Sequence, residues 1–159
     1  LPLEMYCHTL TDPSILSPEL ARQGYHTLTL FGLHTDASLF DVNPEQSRDD
    51  AVASALASLN EYLEDPIESV LARNSDGTYA LEAKSPLDLE AALGLPRGNI
   101  FQRELQWPFA ENEKEKGKWG VETDIANIFI SGAGAKRGGG VSGIPGRNAA
   151  QAVLMTGLI

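Results

Sequence analysis

Residues Asn127–Ala150 read NIFISGAGAKRGGGVSGIPGRNAA. Seven glycines and one proline stand between an apolar run and a small-residue segment that reads as a helix. A loose tail would be polar at both ends. Here the flanks are IANIFI (Ile125–Ile130) and NAAQAVL (Asn148–Leu154), and both ask for burial. Gly132, Gly134 and Gly138 follow the apolar run as G-x-G-x-x-x-G, which suggests a dinucleotide fingerprint. That pattern needs a helix beginning at its last glycine, then a second strand with an acid about 20 positions on. The glycines instead continue to Gly146, the helix is predicted from about Pro145, and the sequence ends at Ile159. No Gly-Lys-Ser/Thr occurs, so the P-loop pattern is missing as well. What remains is steric. Glycine permits positive φ and removes the side chain where another body approaches. A helix start at Pro145 points unpaired N–H groups and the positive dipole end at that body. The combination suits a flat, partly anionic ligand lying on backbone.

The rest of the chain bounds the answer. Its 159 residues, 42% of them hydrophobic, suffice for one core-bearing domain or a large piece of one. No run reaches the roughly 18–20 apolar residues of a membrane-spanning helix, and the start, LPLEMYCHTL, lacks the basic-then-apolar pattern of a secretory leader. Cys7 is the single cysteine, which makes a reducing, cytoplasmic setting the expectation. Net charge is −10, with 16 acids and 5 bases in residues 1–100 against 6 and 7 in residues 101–159. Such an acidic surface argues against nucleic acid as a partner.

Leu3–Leu10 and Tyr25–Thr35 read as strands, plausibly antiparallel, joined by a proline-rich loop with room for one helical turn. In the second, His26, Leu28, Leu30 and His34 share a face. From Asn43 the period changes. Val52, Leu56, Leu59 and Leu63 lie on one helical face with Ala55 beside them; Pro44 suits the first turn and Asp65-Pro66 ends the helix. Ile67–Lys84 reads as two extended segments around an Asn-Ser-Asp-Gly turn, the first alternatively a helical turn. Ser85 caps a short helix that Gly94 and Pro96 stop. Asn99–Leu105 and Ile125–Ser131 are predicted as strands. Glu111–Gly120 is a polar, lysine-rich connection expected to be mobile, and the last helix, apolar nearly all round, is expected to be buried.

Other candidate chemistry is thin. His26 and His34 would be roughly 26 Å apart on an extended strand, too far to share an ion, so no metal site is expected. Cys7 with a nearby histidine lacks any oxyanion feature. Glu61, Glu64, Asp65 and Glu68 read as a solvated helix end. Trp107, Pro108 and Phe109 are either a substrate-pocket wall or a core corner. No acid–base pair declares itself as catalytic.

GAGAKRGGGVSGIPGRNAA (Gly132–Ala150) resembles the C-terminal flavin-contacting motif of phytoene dehydrogenase-like FAD-dependent oxidoreductases, the group that includes carotenoid desaturases. SPLDLEAALGLPRGNIFQREL (Ser85–Leu105) is similar to the family's segment ahead of its closing section, and YHTLTLF with the helix at Asp50–Glu64 sits where the family has substrate-domain elements. The family core is Gly-x-Gly-Ala-His-Pro-Gly-Gly-Gly-Val; here Lys136 and Arg137 replace the His-Pro pair. The resemblance implies FAD contact through Gly132, Ala133, Gly134, Gly138, Gly139, Gly140, Val141, Gly143 and Pro145, with Trp107 and Phe109 toward the substrate.

The family's N-terminal G-x-G-x-x-G unit does not occur in this sequence. The resemblance therefore implies the C-terminal portion of such an enzyme, with FAD held weakly or not at all by this portion alone. The expected fold is α+β. Residues 1–107 form an antiparallel sheet with flanking helices on the substrate side, 108–124 a polar connection, and 125–159 a strand, glycine-rich loop and helix that close the FAD domain. The activity implied is hydride transfer from an apolar, isoprenoid-like substrate to flavin, which needs few protein acid–base groups. The alternative is a non-catalytic α+β binding or assembly module that keeps the motif structurally. The partners implied are that substrate, the remainder of the FAD domain or a second copy of the chain, with a peripheral membrane contact allowed.

Overall fold

A computed structural model describes residues 1–104, 106–107, 109–137 and 140–157. The chain is mixed α+β and divides into two compact units, Leu1–Asp88 and Leu89–Ile159. Among the described residues no helix is long and apolar enough to cross a membrane.

In the first unit, β1 (Leu3–Tyr6) pairs antiparallel with β2 (Thr29–Gly32), Leu3 opposite Gly32 and Tyr6 opposite Thr29. Both strands are shorter than their composition predicts. After Tyr6 the chain enters a 3₁₀ turn at His8–Leu10, so residues 25–28 have no strand beside them. Thr9 takes the place of a ladder partner: its hydroxyl accepts the Thr27 N–H at 3.1 Å and lies 3.0 Å from His26 Nδ1. A left-handed residue, His34 at φ 56°, stands just beyond the other end of β2. Between the strands runs the expected loop, with a 3₁₀ turn at Pro13–Ile15 and a short helix, α1 (Pro18–Arg22), capped by Ser17.

Helix α2 (Pro44–Asn60) starts where the sequence places it, behind Asn43. Leu59 is buried, Val52, Ala55 and Leu56 are half-buried, and a 3₁₀ turn at Ala37–Phe40 packs Phe40 against it. The helix stops at Asn60, ahead of Asp65-Pro66, because the Asn60 side chain folds the chain back. Its Oδ1 accepts the Ile67 N–H at 2.8 Å and its Nδ2 donates to Glu68 at 2.9 Å. The same bond holds the Glu68 carboxyl below its usual range. Residues 67–69 form the alternative helical turn, and a bridge between Arg73 and Tyr79 closes the Asn-Ser-Asp-Gly turn. Helix α3 (Pro86–Leu93) begins with a reciprocal cap. The Asp88 N–H donates to Ser85 Oγ at 3.2 Å, and the Ser85 N–H donates to Asp88 Oδ2 at 2.7 Å.

The second unit departs more from expectation. Among the described residues neither predicted strand forms. Asn99–Arg103 is a string of turns: the Gln102 N–H reaches Asn99 O at 2.8 Å, and Gln102 itself is left-handed at φ 65°. Leu105 lies outside the described residues. In Ile125–Ser131 the Thr123 hydroxyl takes up the carbonyls of Ile125 and Ile128, at 3.0 and 2.9 Å, and Asn127 turns the chain at φ 64°. The result is a tight turn with a single bridge, Glu122 to Phe129, and an Ile130 N–H to Val121 O bond of 2.8 Å.

Helix α4 (Ile144–Met155) follows Gly143. It is buried on one face only, through Pro145, Asn148, Ala149 and Ala152, while Leu154 and Met155 are exposed. The expectation of all-round burial fails because the partner surface is narrow. The core beneath α4 consists of Val121, Ala135, Ala149 and Ala152, with Trp119 and Phe129 against it.

Candidate cofactor-binding loop

The glycine loop leaves the core at Ala135 and returns to it at Pro145. Gly132–Ala135 is a turn closed by an Ala135 N–H to Gly132 O bond of 3.0 Å. Ala133 and Gly134 are half-buried, Ala135 is buried, and the Arg103 guanidinium stands 3.5 Å from the Gly134 carbonyl. Gly138 and Gly139 lie outside the described residues. Gly140 and Gly143 are left-handed, at φ 69° and 72°, and Val141 between them is fully exposed. Pro145 is buried on the α4 side.

The glycines are needed for different reasons. Gly140 and Gly143 answer to their own backbone, since an L side chain at positive φ is strained wherever it points. Gly132 has neither excuse. Its φ lies outside the left-handed range, and a Cβ added there meets none of the described residues within 4 Å. At Gly134 and Gly146 the nearest contacts of such a Cβ are an ordinary 3.4 Å, to Gln102 Oε1, and 3.8 Å, to Ser131 O. Packing among the described residues therefore leaves glycine at 132 unexplained. These residues fit a flat ligand resting on backbone, with the start of α4 at one end of the surface; there the Ile144 N–H donates to Ser142 Oγ at 3.3 Å, the Arg147 N–H to Gly143 O at 3.1 Å, and Pro145 has none.

Lys136 and Arg137 are not ornaments on this loop. Lys136 Nζ pairs with the Glu115 carboxylate and stands 3.9 Å from Glu111, and its N–H donates to Gly120 O at 2.9 Å. The Arg137 guanidinium donates to the carbonyls of Lys118 and Glu115, the latter at 3.2 Å. Hydrogen bonding from Lys136, then from the Glu111 backbone, holds the Glu115 carboxyl below its usual range. These contacts tie residues 111–120 to the loop. Glu122 organises the adjoining turn. Its carboxylate accepts the N–H groups of Trp119 and Gly120 at 2.8 Å and of Val121 at 3.1 Å. Burial pushes its pKa up, but these backbone bonds outweigh it and the net shift is downward. Asn148 on α4 donates to Trp119 O at 3.1 Å and ties the helix to the same turn.

Trp107 and Phe109 pack on each other, centroids 5.4 Å apart, and both are exposed; Pro108 lies outside the described residues. His8 stacks on Tyr6, and Cys7 Sγ lies 3.7 Å from Thr9 Oγ1. Among the described residues no three His, Cys, Asp or Glu side chains are grouped to hold a metal ion.

With that geometry in hand, the relatives are informative. The chain is 49% identical over 158 residues to an uncharacterized protein of Mycobacterium tuberculosis and equally to one of Mycobacterium bovis, covering 97% of itself and 29% of each. It is 32% identical over 159 aligned residues to the rat and mouse proteins named pyridine nucleotide-disulfide oxidoreductase domain-containing protein 2, covering 97% of itself and 26% of each. The chain thus spans less than a third of the length of the curated relatives it matches. No protein-family profile and no solved structure matches it.

Reading the sequence did not single out Gly120, Glu122, Arg137 or Asn148 as structural. The one local signal was Glu122 two positions after a glycine in a turn-like stretch. The contacts of Arg137 and Asn148 reach back about 20–30 residues, and no periodicity records them.

Proposed function

We propose that the chain is the C-terminal portion of a flavin-dependent oxidoreductase, in which Gly132–Gly134, Gly140–Gly143 and the start of α4 form a backbone wall against the flavin ring of FAD. The observation that carries this reading is Gly132: neither backbone conformation nor packing among the described residues asks for glycine there. The name of the rodent relatives supports oxidoreductase kinship, and the motif's likeness to phytoene dehydrogenase-like enzymes supports flavin and an apolar, isoprenoid-like substrate. When bound, flavin supplies the hydride acceptor. The chain's residues would bring backbone close and keep side chains away from the ring. Trp107 and Phe109, exposed and in tilted contact, offer an apolar surface for substrate or for the remainder of the enzyme. The assembly-module alternative accounts for Gly140 and Gly143 by backbone shape but leaves Gly132 unexplained.

Gly143→Val is a poor test, because a β-branched residue at φ 72° strains the fold whether or not flavin is near. Gly132→Ala is a clean one. It should hold stability or raise it by at most about 1 kcal/mol, while abolishing the weak quenching of flavin fluorescence expected when the wild-type chain is mixed with millimolar FAD. Equal quenching by both chains would sink the close-approach reading. Sub-micromolar binding by the wild type would sink the idea that the site is only part of one.

A further inference from the structure

Between Arg137 and α4 the described glycines, Gly140 and Gly143, are both left-handed. The loop's far end is set, since Pro145 is buried and Ala149 and Ala152 root α4 in the core. Its near end depends on Lys136 and Arg137. Lys136–Glu115 is the most enclosed ion pair among the described residues, with side chains 23% and 20% exposed. The carbon stem of Arg137 lies over Gly120 so closely that a Cβ there would sit 2.7 Å from Arg137 Cγ. Gly120 is left-handed at φ 74°, and its carbonyl accepts the Lys136 N–H. Residues 111–120 and 136–137 therefore interlock through an ion pair, two side-chain bonds to carbonyls, one backbone bond and a fitted stem.

We infer that Lys136 and Arg137 are positioning residues for the glycine loop, acting through residues 111–120: the clamp fixes the near end of the loop so that Gly140–Gly143 hold their left-handed turns before any ligand arrives. Fixing both ends removes ordering entropy that a ligand would otherwise have to offset. The inference rests on the flavin reading only for what the loop faces. The clamp itself is a property of this chain.

The test uses the 159-residue chain without flavin. Backbone ¹⁵N order parameters are measured at Gly140, Val141 and Gly143 in wild type, Lys136→Ala, Glu115→Gln, and the double exchange Lys136→Glu with Glu115→Lys. The wild type should be near the rigid value of about 0.85, and each single variant should fall toward about 0.6 or below. The double exchange should recover most of the loss, which simple removal of a packing group would not allow. Trypsin cleavage after Lys114, Lys116 and Lys118 should be about threefold faster in the single variants. The order parameters of α2 serve as the folding control. Should Lys136→Ala disturb α2, Glu115→Gln, which keeps the side chain's shape while removing its charge and replacing one acceptor oxygen by an NH2 donor, carries the test. Loosening confined to residues 111–120, or no recovery in the double exchange, overturns the proposal. A chain that shows the clamp but responds to no FAD keeps this inference and removes the flavin reading instead.

Discussion

The two units meet the same requirement, pairing their backbone polar groups, by different means. In Leu1–Asp88 most of it is done by regular structure: the β1–β2 ladder, the long α2, and the capped start of α3. In Leu89–Ile159 side chains do much of it. Glu122 gathers three N–H groups, Arg137 two carbonyls, and Asn148 one. The apolar cores differ to match. Among the described residues the first unit buries Ala37, Phe40 and Leu59, and the second buries Val121, Ala135, Ala149 and Ala152. Where the described core is made of small side chains, individual polar contacts and close backbone approach carry more of the shape. The first unit should therefore be most sensitive to lost apolar volume, and the second to lost shape and charge.

The largest effect should come from Phe40→Ala. Phe40 is 2% exposed, and emptying such a site costs about 3–5 kcal/mol. Denaturant unfolding followed at α2 amides reads it. A cost below about 1 kcal/mol would mean that the first unit does not rest on apolar packing.

Next is Gly120→Val. A β-branched residue at φ 74° is strained, and its Cβ would collide with the Arg137 stem at 2.7 Å. Together these should cost about 2–3 kcal/mol, read by Trp119 fluorescence in a Trp107→Phe background. Gly117→Ala, at a left-handed residue whose added Cβ meets nothing within 4 Å, should cost less and separates strain from collision.

The contrast between units also explains what the sequence revealed. The antiparallel pair, α2, α3 and the start of α4 were legible because period, prolines and caps act within a few residues. Ser85 and Asp88 sit three apart, as a reciprocal cap requires. The strands expected at Asn99–Leu105 and Ile125–Ser131 were not legible, because apolar composition shows only that a segment suits a sheet, not that a partner lies beside it. Thr123 and Asn127 decide the second case by taking its carbonyls and turning the chain. The candidate loop was legible as a glycine-rich stretch between an apolar turn and a helix. Which glycines serve backbone shape and which leave room for something else required the φ angles.

Acid should sharpen the comparison further. Glu122 and Glu115 both titrate below their ordinary range in the folded chain. Each therefore binds fewer protons folded than unfolded, so stability rises with pH across the interval between the two values. Their contribution is complete above the unfolded value of about 4.3 and is lost as pH falls through the folded value. Glu122→Gln should remove part of that acid-induced loss in the second unit. Because Glu122 is partly open to water, its cost at neutral pH should be only about 1 kcal/mol. Melting curves between pH 3 and pH 7, wild type against variant, read both effects. Parallel curves would show that Glu122 holds its turn by shape and not by charge.

The smallest stability effect should fall on the most exposed apolar side chain. Val141 is fully exposed between two left-handed glycines. Val141→Ser should move stability by no more than about 0.5 kcal/mol. The isolated chain also exposes Trp107, Phe109, Ile125, Ile128 and Leu154 in the same unit, and apolar surface on that scale usually belongs to an interface. If the loop is part of such a surface, the wild type should self-associate in light scattering at micromolar concentration, and Val141→Ser should shift it toward monomer at an unchanged melting temperature. A wild-type chain that stays monomeric would show that this apolar surface waits for a different molecule. If Val141→Ser lowers the melting temperature instead, the loop packs within the chain, and glycine at 132 would then need an internal explanation.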